Sequence, residues 1–479
     1  MCLSSFADRY EFNINLNLMS EKLHIKEKIG YGFGDFASSM FWKIFAMYLT
    51  FFYTDVVELS PESVALMFIM VRLWDGLNDP LMGIIADRTN TAKGKFRPYL
   101  LWIAIPFGLI GVLTFSVPDF GPSGKLIYAY ITYTLMMMVY TAINVPYGSL
   151  MAVMTDHPKE RTSLASFRFI GAYSGGIAMT ASAPYILDFF KNTGASDAKS
   201  YSYMVTIYAV VAAFFFVMTY MWTKERVQAL KEKNSIWNDL NDLVKNAQWF
   251  IMLGAGILML VFLTFRESSI MYYFKYFVQD QSIAIFGDVT WGKLSGAYMT
   301  IWLIANMVGV LLAIPVSNLL GKKGTFILAM FLSAILSVFL YWLNPQQVFV
   351  IFILNFLNGI SAGIVLPLVW SMYADIADYS EWKTGRRATG LLFSSSSMSQ
   401  KLGLMAGGAL PLYILSLYGF EANSEQTEQS LEGIRLMISV YPGITAALSG
   451  VLLFLYKLND KRMTDITNDL AERRGKEKL

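Results

Sequence analysis

Runs of about twenty or more mostly apolar residues recur twelve times along this chain, near 32–55, 62–86, 98–118, 125–153, 165–190, 202–223, 248–278, 293–318, 324–343, 347–375, 388–418 and 433–457. A run of that length is what an α-helix needs to cross the hydrocarbon layer of a bilayer. Lipid offers no water to the backbone, so each run must satisfy its own polar groups, which a helix does. Composition points the same way. The 479 residues are 55% hydrophobic and 15% charged, with a mean hydropathy of +0.46, whereas a soluble domain carries about 25% charged residues. The reading is an all-α membrane protein with twelve transmembrane helices.

The polar segments between the runs set the orientation. With the amino-terminus inside, the inner segments hold Lys22, Lys26, Lys28, Arg88, Lys93, Lys95, Arg97, Lys224, Arg226, Lys322, Lys323 and Arg386. The outer ones hold little beyond Lys125, Lys191, Lys199 and Lys293. Lys and Arg gathered on alternate loops mark the cytoplasmic side, and an even helix count puts both termini there. The longest inner segment separates the sixth run from the seventh. The expected organisation is a cytoplasmic amino-terminal segment 1–30, a six-helix half 31–223, a central loop 224–247, a second half 248–457 and a charged tail 458–479. Residues 1–18 are read as a product of start-site choice, with translation beginning at Met19. The halves echo each other: Asn144-Val-Pro-Tyr-Gly-Ser-Leu in the fourth run answers Leu366-Pro-Leu-Val-Trp-Ser-Met in the tenth. Duplicated halves are typical of secondary transporters, whose site lies between the repeats near mid-membrane.

Several functions are excluded early. Cys2 is the only cysteine, and His24 and His157, the only histidines, fall in polar segments, so no thiol cluster or histidine centre sits in the membrane. A net charge of +3 gives no case for nucleic acid. The stretch GKKGT at 321–325 lacks the spacing of a phosphate loop, so ATP-driven transport is not expected, and neither is an enzyme or an organic cofactor.

What remains is charge where none is cheap. An ionisable group at mid-bilayer costs at least about 2.5–3.5 kcal/mol, and such groups are turned inward, paired and functional. The chain places Asp35 and Lys43 in the first run, Arg72, Asp75 and Asp79 in the second, and Arg168 in the fifth. Arg266, Glu267 and Lys275 follow in the seventh, Lys401 in the eleventh and Arg435 in the twelfth. Helical spacing puts Arg72, Asp75 and Asp79 on one stripe beside Asn78. Oxygen ligands suit sodium, and two neighbouring carboxylates also share a proton readily. The bland alternative is an ion network that only fixes packing. On the first helix Asp35, Ser39 and Trp42 share a stripe; a carboxylate and an aromatic face together suit a carbohydrate. Ser394, Ser397 and Lys401 share a stripe on the eleventh, and Lys401 needs an acid that the second helix can supply.

The segment LWDGLNDPLMGIIADRTNTAKGKFRPYLLW (73–102), with YGFGDFASS (31–39), FFYTD (51–55), NVPYGSLMAVM (144–154), ERTSLASFRF (160–169), MYYFKY (271–276) and YADIADYSEW (373–382), resembles the glycoside–pentoside–hexuronide:cation symporters of the major facilitator superfamily. The likeness runs in order over nearly the whole chain. It implies a major facilitator fold of two six-helix halves in the bacterial inner membrane. It also implies a cation site at Asp75, Asn78, Asp79 and Thr141, sugar contacts from Asp35 and Arg168, and Lys401 near the shared site. Asp375, Asp378 and Glu381 resemble the family's cytoplasmic charge network, which closes the inner side. Asn144 and Gly148 depart from a galactoside-carrying member that has an aspartate and an aromatic residue there, so α-galactosides are not assumed.

The expected function is import of a sugar with a monovalent cation, sodium or a proton, by a monomer in the bilayer. Asp35, Trp42, Lys43, Asn144, Arg168, Ser397 and Lys401 would meet the sugar, and Arg72, Arg266, Asp375, Asp378 and Glu381 would form the coupling network. The surplus of cations from Lys43, Arg168, Arg266 and Lys275 suggests an acidic sugar such as a uronide, unless Lys43 pairs with an interior acid. The rival readings are a carrier of a lysolipid-like amphiphile, which predicts an apolar cleft open to lipid, and a transporter-like sugar sensor, which predicts binding without accumulation.

Overall fold

The structure is a computed structural model that describes residues 22–155, 157–226, 246–283, 285–384 and 389–476; for 158–159, 389–398, 471 and 474–476 it describes the backbone alone. The start-site question at 1–18, most of the central loop and the side chain of Ser397 therefore lie outside the described residues.

Helix α1 (Ile25–Ile44) opens where the Glu27 carboxylate accepts the His24 N–H at 3.2 Å. It continues through two wide π-helical turns, Phe45–Leu49 and Phe52–Val56. Helix α2 (Pro61–Arg88) starts at a Ser60 cap followed by proline, whose missing N–H costs nothing in a first turn. The third apolar run forms two helices, α3 (Arg97–Trp102) and α4 (Ala104–Thr114), interrupted at Ile103. Glu225 caps α3, accepting the N–H groups of Lys95, Phe96 and Arg97 at 2.8 Å each. Then come α5 (Pro122–Met154), α6 (Pro158–Asn192) and α7 (Asp197–Trp222).

After the central loop, α8 (Ala247–Tyr272) also ends in a π-helical segment, Tyr273–Val278. A two-stranded antiparallel hairpin follows, β1 (Gln281–Ile283) and β2 (Gly287–Val289), with Gln281 opposite Val289. Helix α9 (Trp291–Phe339) contains two of the apolar runs, turned against each other at Gly321, whose φ of 72° and ψ of 160° suit glycine alone. The chain ends with α10 (Val348–Thr384), α11 (Thr389–Leu417), α12 (Glu428–Ile438), α13 (Val440–Phe454) and α14 (Asp460–Lys476). Ser439 breaks the twelfth run, and α14 packs under α10 through Met463, Ile466 and Leu470, with Trp382 Nε1 donating to Asp469 at 2.9 Å. The interruptions at Ile103 and Ser439 and the hairpin were not expected from hydropathy, which averages over such breaks.

Among the described residues, six stretches are long and apolar enough by length and composition to cross a membrane: Pro122–Met154, Asp197–Trp222, Ala247–Val278, Trp291–Trp342, Val348–Thr384 and Glu428–Phe454. Helices α1, α2, α6 and α11 fall short in apolarity because they carry the interior charges together with glycines and serines. Helix α2 shows how they are housed. Val64, Met67, Phe68, Val71, Arg72 and Asp75 are buried, while Leu73, Leu77, Leu81, Ile84 and Ile85 are exposed. The apolar side chains face outward and the charges inward, the reverse of a soluble amphipathic helix.

The helices before the central loop pack mainly on one another, and so do those after it. Within the first set α1 and α6 lie almost backbone to backbone. A methyl group on Gly171 would stand 2.0 Å from Gly32 O, and one on Gly175 2.2 Å from Phe36 O. Small residues permit this closeness. In the second set Gly407 of α11 serves likewise, with Thr264 of α8 at 2.6 Å from where its methyl would lie. The sets meet where α2 faces α11, α6 faces α9, and the first π turn of α1 faces α8.

Candidate functional site

A cavity of about 520 Å³ lies between the two sets, bordered by Trp42, Arg72, Asp75, Asp79, Thr141, Asn144, Arg168 and Lys401. This is an ordinary size for a small-molecule site.

One corner is ionic. Thr141 of α5 donates to Asp79 Oδ1 at 2.9 Å and lies 3.2 Å from Asp75 Oδ1. Lys401 of α11 reaches across from the other set. Its Nζ stands 2.6 Å from Asp79 Oδ2 and 3.4 Å from Asp75 Oδ2, and donates to the Asp75 carbonyl at 2.6 Å. Arg72 is 3.9 Å from Asp75 Oδ2, and its guanidinium lies over the Trp42 ring at 4.9 Å. Two carboxylates thus face two cations, and the corner is electrically balanced. Asn78, the neighbour of Asp79, is half-buried and outside the cavity wall, with Nδ2 buried and without an acceptor among the described residues.

The adjoining wall is aromatic, with the Asn144 amide beside it. Trp42 and Tyr140 tilt against each other at 5.4 Å, and Asn144 donates to the Tyr140 carbonyl at 3.0 Å. Arg168 Nε is 2.5 Å from Asp35 Oδ2, and the guanidinium lies 5.4 Å from the Tyr147 ring. Tyr147 stacks on Tyr31 at 4.8 Å and donates to the Tyr31 carbonyl at 2.6 Å. Asp35 itself is buried behind this wall, so it meets the cavity only through Arg168.

The structure does not bring Lys43 or Arg266 to the cavity. Lys43 is neutralised by an ion pair with Glu267 of α8. Trp42 and Lys43 are consecutive on a helix, so they point about 100° apart, and only Trp42 faces the cavity. Arg266 is buried inside the second set, bonded to the neutral groups Tyr298 OH at 2.7 Å, Ser337 Oγ at 2.9 Å and Asn355 Oδ1 at 3.2 Å, with Trp302 under its plane at 4.9 Å. It is packed into a scaffold of hydroxyls and amides and faces no acid among the described residues, contrary to the expectation of a charge network. Asp375 is 2.7 Å from Lys322, a partner in its own set, and Asp378 and Glu381 follow it on α10. Tyr140 and Gln400 line the cavity without having been singled out. Tyr140 stands one turn before Asn144, a spacing that would have revealed it.

The family described as MFS/sugar transport protein matches residues 30–460. The chain is 33% identical over 459 residues to the Inner membrane symporter YicJ of Escherichia coli (strain K12), covering 95% of this chain and 96% of that protein. It is 33% identical to the Isoprimeverose transporter of Lactiplantibacillus pentosus over 94% of this chain and 92% of the other. With the Glucuronide carrier protein homolog of E. coli (strain K12) it shares 29% identity over 95% and 97% of the two chains. Among solved structures, the nucleoside transporter NupG superposes with a TM-score of 0.58 at 15% identity over 90% of this chain and 98% of that one. A proton-dependent oligopeptide transporter superposes at 0.67 and 11% identity, over 93% and 100%. These structural likenesses concern the fold alone. With the family match spanning most of its length and relatives above 30% identity aligned nearly end to end, the chain belongs to the MFS/sugar transport protein family of the major facilitator superfamily.

Proposed function

We propose that this cation:sugar symporter seats one monovalent cation, sodium or a proton, between Asp75 and Asp79 with Thr141, and one sugar in the adjoining cavity against Trp42, Asn144 and Arg168. The observation that carries the reading is Lys401. An ammonium from one helical set occupies the acid pair of the other. An incoming cation competes with it, and the displaced ammonium becomes a donor for sugar hydroxyls beside the seat. Each ligand then improves the other's site, which is coupling in the thermodynamic sense. Asp35 acts by holding Arg168, and Arg72 by balancing charge above Trp42. Loss of the Lys401 bridge on loading frees α2 and α11 to move relative to each other, and the two sets rock about the filled cavity.

The same reading places twelve spans in two sets of six in the bacterial inner membrane, with the basic face in the cytoplasm, as the excess of Lys and Arg there directs. The relatives' names speak of an inner membrane, of isoprimeverose and of glucuronides. Lys43 and Arg266, which suggested an acidic sugar, stand outside the cavity, where Arg72, Arg168 and Lys401 are matched by Asp35, Asp75 and Asp79. A neutral glycoside or pentoside is therefore our substrate class. Polar side chains distributed around the cavity, from Asp75, Asp79 and Lys401 to Asn144, Arg168 and Gln400, suit sugar hydroxyls better than an acyl chain. Asp375 with Lys322, Asp378 and Glu381 form the cytoplasmic network, which engages across the sets only when the inner side closes. The test is counterflow in proteoliposomes with isoprimeverose, other neutral glycosides and a glucuronide, each with and without sodium at fixed pH. Stimulation by neither sodium nor a pH gradient for any sugar would refute the reading.

A further inference from the structure

The face opposite the basic one carries a polar cluster that neither cation nor sugar uses. Asp55 is buried in the second π-helical turn of α1. Its Oδ1 accepts from Lys275 Nζ at 2.8 Å and, in a short bond, from Tyr276 OH. Its carbonyl accepts from Asn423 Nδ2 at 2.7 Å. Lys275 also donates to Asn423 Oδ1 at 2.7 Å, and the Asn423 N–H donates to Tyr276 OH at 2.9 Å. An acid of the first set is thus enclosed by the end of α8 and the loop after α11, both from the second. Beneath it, Phe51 packs on Tyr272 and Trp291 at 5.6 and 5.7 Å.

Backbone geometry marks the same place. Among the described residues the non-glycines with positive φ are Glu58 (65°), Gln279 (60°) and Asn423 (59°). Glu58 follows Asp55 by three residues, Gln279 follows Tyr276 by three, and Asn423 is a member of the cluster. Gln279, with ψ of −166°, sits in a region that is essentially glycine's. Such residues persist only where their surroundings over-determine them, and they gather at switches. The opening helix of each set therefore ends alike, in π-helical turns followed by a strained residue, and π-helical turns are themselves frequent at functional sites.

We propose that Asp55 is the latch of an outer gate: held by Lys275, Tyr276 and Asn423 it keeps the external face shut, and the strain at Glu58 and Gln279 is relieved when the ends of α1 and α8 part. The strain offsets some of the cost of breaking the pairs, so the shut state stays openable. This rests on the alternating-access reading and on the orientation given above.

The test uses the full chain with Cys2→Ser and a reporter, Phe51→Cys, labelled by a membrane-impermeant maleimide in right-side-out vesicles. Asp55→Asn, and separately Lys275→Gln, are expected to speed labelling roughly tenfold, equivalent to about 1.4 kcal/mol. The exchange Asp55→Lys with Lys275→Asp should return the rate toward the parent's. Gln279→Gly should slow both labelling and net sugar uptake, because the shut state loses its strain. Should Asp55→Asn not fold, Lys275→Gln reads the same contact. Rates within about twofold of the parent for the folded latch variants would overturn the proposal. Counterflow by the parent, measured alongside, reports on the transport reading independently.

Discussion

Lys401 and Asp79 belong to opposite sets of helices, yet 2.6 Å separates ammonium from carboxylate. The pair ties α2 to α11 beside the cavity, and its partners, Asp75 and Thr141, supply the remaining oxygens of the corner. Whatever cation enters must contend with this lysine.

Replacing Lys401 by glutamine removes that competitor. The sodium concentration giving half-maximal stimulation of sugar counterflow should fall about tenfold, and uphill accumulation should be lost because the displaced donor no longer reports loading to the sugar site. Sodium titration of counterflow checks this; an unchanged half-maximal concentration contradicts competition.

Asp75→Asn and Asp79→Asn should each abolish accumulation driven by an ion gradient. Exchange of sugar down its own gradient should survive in at least one, since neither acid is part of the Trp42 wall. Parallel assays of accumulation and exchange in vesicles decide it, and concentrative uptake by both variants counts against the cation seat.

Asp35→Asn leaves the Arg168 guanidinium without its acid. Leaving a partly exposed guanidinium without its acid costs about 1–3 kcal/mol, so the detergent melting temperature should drop and sugar affinity should fall with it. The double variant Asp35→Asn, Arg168→Gln should melt higher than the sum of the single losses predicts, as residues in contact do not add.

Arg266→Met should lower thermal stability, since Tyr298, Ser337 and Asn355 lose a shared donor. Sodium dependence of counterflow should stay as in the parent. A changed sodium dependence at normal stability would restore Arg266 to the coupling machinery.

The acids on α2 were legible because charge inside an apolar run has few explanations, and a stripe of three at helical spacing has fewer. Lys401 was legible for the same reason, as an interior cation in want of an acid. Lys43 misled because sequence gives the depth of a residue on a helix but not its azimuth: its neighbour Trp42 faces the cavity while Lys43 turns to Glu267. Arg266 misled because a buried guanidinium can be held by neutral acceptors, and hydropathy does not see them. Asp55 went unremarked as a functional residue because it closes its apolar run, where a charge looks like a terminus. Its role depends on Lys275, Tyr276 and Asn423, more than two hundred residues away. The turn at Gly321 inside α9 was implied by two adjacent runs, and the interruption at Ile103 has its cause in Pro106, which has no N–H for the Trp102 carbonyl and crowds it.

Between α1 and α6 there is no space for even a methyl group at Gly32, Gly171 and Gly175. Helices in such intimate register resist shear, because sliding would carry side chains into contacts that admit only glycine. On the proposed transport reading, Asp35 and Arg168 would then travel together, with compliance left to the wide coils beyond Ile44.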